Sequence, residues 1–398
     1  MNAKTLGIIA AVTLAALAAA VGLNHSRKPA TELRTSQLVP GLKEEINAIS
    51  KVTLTGAGNQ PIAVLERRDA GWVVASRDGY PADSGKLREF VLKLADATVL
   101  EPKTANKDRY ATLGVEDVTA ADAKGILVQI EGPKTPVRLI VGNYNGQGGG
   151  GTFVRRADEA QSWLASGTLT PDKNAGDWLS RDLADIPAAQ IAEVTIDKGG
   201  KTLRVYKENA SDPNFRIADL PKGREPSSDA VANAPASGLA GLRIDGVQKA
   251  DVAAAPEQAL KARFVAFDGR QVDVTAWEQG GKHYGQFTAS LDEARAGAHI
   301  QAAQDTAKAE HEAAAAKAAA GDANAAAAVP PPPPAVADPG KDREDRLAEL
   351  KKQVEDLDRR FAGWTFELPA HKYASLDKSI DDLSKPVEAK PAAPAKKK

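Results

Sequence analysis

Cysteine is absent from this sequence, and methionine occurs once. Without thiols there are no disulfides, no cysteine nucleophile and no thiolate-ligated metal. Such a chain is compatible with an oxidising compartment. Histidine is scarce too. His25, His283, His299, His311 and His371 are scattered, and none has a second histidine four residues away to put two ligands on one helix face. An excess of either charge is also missing: 52 Lys and Arg against 53 Asp and Glu leave a net charge of −1. A nucleic-acid binder needs a basic surplus to neutralise phosphates, so nucleic acid is excluded as a partner. No nucleophile–base pair, metal set or cofactor motif stands out. The sequence therefore assigns no catalytic, cofactor-binding or metal residue and no cofactor, and it reads as non-enzymatic.

What is present is a module. Val52 and Leu54, then Ile62 and Val64, alternate with polar neighbours as half-buried strands do. Gly56, Gly58 and Asn59 between them tolerate left-handed turn geometry. Gly71-Trp72-Val73-Val74 reads as a third strand with Trp72 as an apolar anchor. Asp83 or Ser84 then N-caps a helix whose Leu87, Phe90, Val91 and Leu94 fall on one face. The one-sided sheet and the amphipathic helix each cover the other. Pro102 and Gly114 punctuate the following segment. Ile126, Val128 and Ile130 form a hairpin with Val137, Leu139 and Val141 through Gly132-Pro133-Lys134, and another strand covers Thr152 to Arg155.

A weaker copy begins at Ile191. Ile191-Ala-Glu-Val194-Thr-Ile196 matches Ile49-Ser-Lys-Val52-Thr-Leu54, Phe215-Arg-Ile217 stands for Trp72-Val-Val74, and Phe264 to Trp277 repeats the later hairpin. A period near 140 residues means duplicated domains rather than a short solenoid unit. Pro235 and Gly238 make the second copy's helical segment less regular. A 3-4-3-4 seam of Leu347, Leu350, Val354, Leu357 and Phe361 predicts a helix over 343–361. An alanine-rich helix over 291–320 and a proline run precede it. Trp364 to Leu368 returns as a strand beside Tyr284 to Phe287, and Leu376, Ile380 and Leu383 mark a short closing helix.

The long apolar run covers residues 6–23, preceded by Lys4 and interrupted only by Thr13. It is just long enough to cross a hydrocarbon core of about 30 Å. A retained anchor is the preferred reading, and signal-peptidase cleavage near Ala18-Ala19-Ala20 is the alternative. Both place the remainder outside the cytoplasm.

The expected fold is α+β: two repeated antiparallel-sheet-plus-helix modules, an inserted helical hairpin and one N-terminal membrane helix. Its divisions are 1–28 signal anchor, 29–47 linker, 48–185 first module, 186–290 with 362–385 second module, 291–361 inserted helical arm with Pro-rich linker, and 386–398 disordered tail.

Each candidate site has a plainer explanation. The glycine-rich loop at 142–151 runs into a strand and has no lysine, unlike a phosphate cradle at a helix start, so it reads as a long hairpin loop. Asp78, Asp83, Glu116 and Asp117 read as caps and turn residues. His283 and His371 lie on neighbouring elements but lack a third ligand. Trp72, Trp163, Trp178, Trp277 and Trp364 sit in apolar runs and read as core. The seam at 343–361 offers a surface for a partner helix.

Trp72-Val-Val, Gly79-Tyr80-Pro81-Ala82-Asp83, Glu101-Pro102-Lys103-Thr104-Ala105 and Tyr110 with Leu113-Gly114-Val115 resemble the bacterial domain-of-unknown-function family 4340. Thr152-Phe153-Val154-Arg155, Ser162-Trp163-Leu164 and Trp178-Leu179-Ser180-Arg181-Asp182 carry the same resemblance. It covers about 48 to 290 and returns at Gly363-Trp364. The resemblance implies an envelope protein encoded beside ABC-transporter components of a gliding-motility-like auxiliary type, and it supplies no functional residues. The expected function is thus a membrane-anchored periplasmic accessory or scaffold protein working with ABC transporter subunits, held at the inner membrane by residues 6–23. The alternative is a periplasmic ligand-binding module using the cleft between the repeats.

Overall fold

The computed structural model describes residues 36–147, 149–319 and 338–387. The chain divides into two compact units, Met1–Trp72 with Ser84–Ala175, and Val73–Asp83 with Gly176–Lys398. Among the described residues no helix is long and apolar enough to cross a membrane. Residues 6–23, where the sequence predicts an anchor, lie outside the described residues, as do the proline run at 330–334 and the chain beyond 387.

The predicted strand periodicity is realised. In chain order the strands are β1 (Lys51–Thr55), β2 (Pro61–Arg68), β3 (Gly71–Val74) and β4 (Tyr80–Pro81), followed by α1 (Ser84–Asp96). Then come β5 (Val99–Pro102), α2 (Tyr110–Leu113), β6 (Ile126–Glu131), β7 (Val137–Asn145), β8 (Gly151–Arg156) and β9 (Ser162–Ala165). The first unit's strands lie in the order β2-β1-β6-β7-β8-β9-β5, with antiparallel pairing. α1 buries Leu87, Phe90, Val91, Leu94 and Ala95, the stripe expected from its spacing. Gly58 and Asn59 adopt the left-handed turn, at φ 63° and 57°.

The second unit contains β10 (Asp182–Ala184), β11 (Ile191–Lys198), β12 (Lys201–Tyr206), β13 (Arg216–Ile217) and β14 (Arg224–Pro226). A short α3 (Asn233–Ala236) contains Pro235 and is all that remains of a regular helix there. β15 (Leu242–Arg243), β16 (Gly246–Lys249), β17 (Leu260–Ala266), β18 (Arg270–Gln279) and β19 (Lys282–Leu291) follow. Two long helices, α4 (Glu293–Ala319) and α5 (Pro339–Phe361), precede β20 (Trp364–Leu368). α6 (Ala370–Leu376), α7 (Ile380–Leu383) and β21 (Ser384–Pro386) close the described chain. The main sheet has the order β12-β11-β17-β18-β19-β20-β16. Position for position this repeats the first unit, with β3 flanking β2 as β13 flanks β12.

Register makes the duplication residue-specific. Val52 pairs Ile130, as Val194 pairs Phe264. One strand further across the sheet, Ile126–Val141 corresponds to Leu260–Ala276. Val154 then corresponds to Gly285, and Trp163 to Phe366. The expected partnership of Tyr284 with the Trp364–Leu368 strand is present, with Tyr284 opposite Glu367.

The arm occupies the connection between β19 and β20, which in the first unit is residues 157–161. Asp338 caps α5 by accepting from the Lys341 amide at 3.0 Å. The seam does not lie free along its length. Val354 and Phe361 are buried, Leu347, Leu350 and Leu357 are half-buried, and the Phe361 ring lies 5.3 Å from that of Phe287 on β19. Asp358 also accepts from the Ala289 amide at 2.9 Å. The end of the seam is therefore core.

Two expectations need correction. The tail predicted to start at 386 includes a strand residue, because Arg224–Pro226 pairs with Ser384–Pro386 and the Arg224 guanidinium donates to Ser384 Oγ and O at 2.8 Å each. The single closing helix is two, α6 and α7, separated at Asp377 and restarted by a capping box of Ser379 and Asp382.

Candidate functional site

Within the first unit, several of the residues that resemble a family signature meet: Thr104, Tyr110, Val115, Arg155 and Ser162. Tyr110 opens α2 and Gly114 ends it at φ 69°, a left-handed C-cap. Beyond it, Val115 and Ile140 form a buried cluster with Tyr110. Arg155 on β8 is 4% exposed and lies under the Tyr110 ring, with its guanidinium carbon 4.7 Å from the centroid. It donates to the carbonyls of Val115 (2.8 Å), Ala157 (3.2 Å) and Glu159 (3.0 Å), and to Asp117 Oδ1 (2.6 Å). The Tyr110 hydroxyl donates to the Ala160 carbonyl. One planar cation thus fastens the segments on either side of the sheet end, which a lysine could not do from a single point. The local chemistry is backbone fastening.

The same logic recurs at Ser162. Its hydroxyl donates to Thr104 O at 2.7 Å and accepts from Thr104 N at 3.0 Å. The register partner in the second unit is Thr365, which donates to Ala253 O at 2.9 Å, while Gln286, the counterpart of Arg155, donates to Thr365 Oγ1 at 2.8 Å. Arg181 likewise holds Ile244 O at 2.8 Å and Asp245 at 3.0 Å. Trp178 is 1% exposed, and its carbonyl accepts from the Asp83 amide.

The glycine-rich segment expected as a long hairpin loop at 142–151 is shorter: Gly142 to Asn145 belong to β7 and Gly151 to β8, so only the residues between Asn145 and Gly151 connect the two strands. Gly142 is required by packing: a Cβ there would stand 2.4 Å from Leu113 O. Gly125 is equally confined, 2.3 Å from Gly114 O. Asp78 is a left-handed turn residue at φ 55°. Glu116 accepts from the Lys124 amide at 3.0 Å, with its other oxygen buried, and Asp117 pairs with Arg155. The structure brings Tyr373, stacked at 4.4 Å, onto His283. His371 lies on α6, with its carbonyl accepting from Ser375 Oγ. Among the described residues no group of three or more His, Cys, Asp or Glu could hold a metal ion.

Aromatic residues do more than fill the core at two places. Tyr80, 1% exposed, presents an edge to Trp364 at 5.0 Å and lies 6.1 Å from Phe366. Burial pushes its phenol up to about 12, against a smaller opposing effect of Arg360. The second place is a cavity of about 500 Å³ at the turn end of the second unit's sheet. Lys198, Glu257, Gln258, Leu260, Trp277 and Tyr373 line it, along with Pro256, Ala276 and Glu278. The Lys198 ammonium is bound by Asp377, and that hydrogen bond raises its pKa. Sequence reasoning found neither this cavity nor the Arg155 fastening, because each joins residues far apart in the chain. The one available signal was an arginine directly after the apolar pair Phe153-Val154 of a strand.

These features define a class: a duplicated antiparallel sheet-and-helix protein whose signature residues hold backbone segments together. Residues 72–262 match the model of a family described as Domain of unknown function (DUF4340). The match begins at Trp72, later than the resemblance read from the sequence, and ends within β17. No curated protein and no solved structure matches the chain.

Proposed function

We propose that this chain is a non-enzymatic scaffold of a bacterial envelope, held at the inner membrane by residues 6–23, with its bulk in the periplasm and ABC transporter subunits as partners. The observation that carries the reading is the helical hairpin inserted between β19 and β20. It is anchored at its base by Phe361, Val354 and Asp358, while charged side chains cover the outer surface of α5. A long helical pair fixed at one end offers extended surface to a macromolecule, with Leu347 and Leu350 half-buried along it. The fastening roles of Arg155, Ser162 and Arg181 fit the same reading, since they maintain a shape.

The test is recovery from membranes. Full-length protein should sediment with the membrane fraction, and detergent extraction should recover transporter subunits with it. Cross-linkers placed at exposed positions 344, 348 and 355 should reach those subunits. Uncleaved protein that stays wholly in the soluble fraction, or that is recovered without any transporter subunit, would overturn the proposal.

A further inference from the structure

The cavity at the turn end of the second unit is not demanded by the fold. By register, the positions of Leu260 and Ala276 are Ile126 and Val141 in the first unit, and those of Trp277 and Glu278 are Gly142 and Asn143. Lys198 corresponds to Gly56. The first unit builds the same strand order with uncharged residues at all of these positions, and with glycine in place of Trp277 and Lys198. It fills the space beside Gly142 with the Leu113 carbonyl at the end of α2. In the second unit the connection that corresponds to the one holding α2, between β16 and β17, is only residues 250–259, it carries no helix, and Trp277 is a buried wall.

The charges at this end do not cancel. Lys198 is neutralised by Asp377. Glu257 and Glu278 are exposed at the rim and have no ion-pair partner among the described residues. The ring of Tyr373 is held in place by the stacked His283 at 4.4 Å. Its phenol is raised first by burial and then by Asp377, against Lys198, with Glu278 adding to the rise. Two unpaired carboxylates around aromatic walls make an environment that favours a cation with an apolar body.

We propose that this cavity binds a small aliphatic ammonium compound, with Glu257 and Glu278 pairing with the ammonium and Trp277 and Tyr373 flanking its hydrocarbon portion. The inference is independent of the scaffold reading, since it needs neither a membrane nor a partner protein.

Titration calorimetry on the full chain, with 1,5-diaminopentane as the probe and 1,5-pentanediol as the neutral control, tests it. The diamine should bind saturably and the diol should not. In nitrogen-15 spectra the Trp277 indole N–H, assigned with Trp277→Phe, should shift during the diamine titration. The Glu257→Gln, Glu278→Gln double variant changes only exposed charge, so it should melt as the parent does and bind the diamine about tenfold more weakly. A Glu344→Gln, Glu349→Gln control on α5 should bind as the parent. No saturable diamine binding, equal binding of the diol, or an unchanged affinity in the Glu257/Glu278 variant would each overturn the proposal. So would an equal loss in the α5 control, which would mean non-specific attraction to surface carboxylates.

Discussion

Arg155 shows how one side chain can decide a loop structure. Three carbonyls and a carboxylate converge on a guanidinium that is almost fully buried, and the Tyr110 ring covers it. Asp117 is 59% exposed, so the ion pair itself contributes little, and the backbone acceptors carry the effect. Arg155→Ala should cost about 3 kcal/mol in urea unfolding, because it leaves buried carbonyls without donors. Arg155→Lys should recover little of that, since an ammonium cannot fork to the same acceptors. Gly142→Ala should cost a comparable amount, about 2–3 kcal/mol, because the added methyl meets Leu113 O at 2.4 Å. An unchanged unfolding midpoint in this variant would show that β7 does not pack against the end of α2 at Gly142. Tyr80 provides a titration test. Its folded pKa, about 12, lies above the usual phenol value of about 10. The stability it contributes is complete below pH 10 and is lost as pH rises toward 12, because only the unfolded phenol ionises in that window. Melting temperatures of the parent should fall more steeply than those of Tyr80→Phe between pH 10 and 12.

At the scale of elements, the arm is part of the fold at the end of α5, while residues 305–314 and 343–349 are mostly exposed. α5 packs on β19 and β10, and α4 buries Ala296, Ile300 and Gln304 beside it. The Gln304 amide donates to Pro339 O at 2.9 Å and Asp342 Oδ2 at 2.7 Å, which ties the two helices. Phe361→Ala should therefore cost about 3–5 kcal/mol. Leu347→Ala should cost much less, because that residue is only half-buried. Chemical denaturation of the two variants checks the contrast. Removing all of 291–360 would take away Asp358 and Val354 and should destabilise the second unit, although closing a long connection is entropically cheap to shorten. A deletion confined to 305–340 leaves the docked base intact and should preserve the melting transition. Equal stability in the two deletions would show that α5 does not support β19.

For the whole molecule, two sheets with one strand order imply one pattern of protection. β1, β6 and β7 are flanked on both sides in the first unit, as β11, β17 and β18 are in the second. β5 and β16 are edge strands. Hydrogen exchange should therefore be slower at these six strands than at the edge strands β5 and β16. Rapid exchange throughout β17 and β18 would contradict the sheet order of the second unit.

Local pattern alone determined much of this protein. Alternation at Val52, Leu54, Ile126 and Val128 specified strands, the 3-4 spacing of Leu87 to Leu94 specified α1, and Gly58 and Asn59 specified a left-handed turn. These signals are legible because backbone geometry imposes a period on which side chains face the core. The match between Ile49–Leu54 and Ile191–Ile196 also revealed the duplication, since two copies of a strand keep the same alternation. Other features existed only after folding. The β14–β21 pairing is too short to have a period, and its partners lie 160 residues apart at Arg224 and Ser384. A heptad seam states that a helix has an apolar stripe but not which surface covers it; the position of β19 decided that Val354 and Phe361 are core. The burial of Arg155 and the cavity beside Trp277 likewise depend on which distant segments meet, and side-chain periodicity carries no information about that.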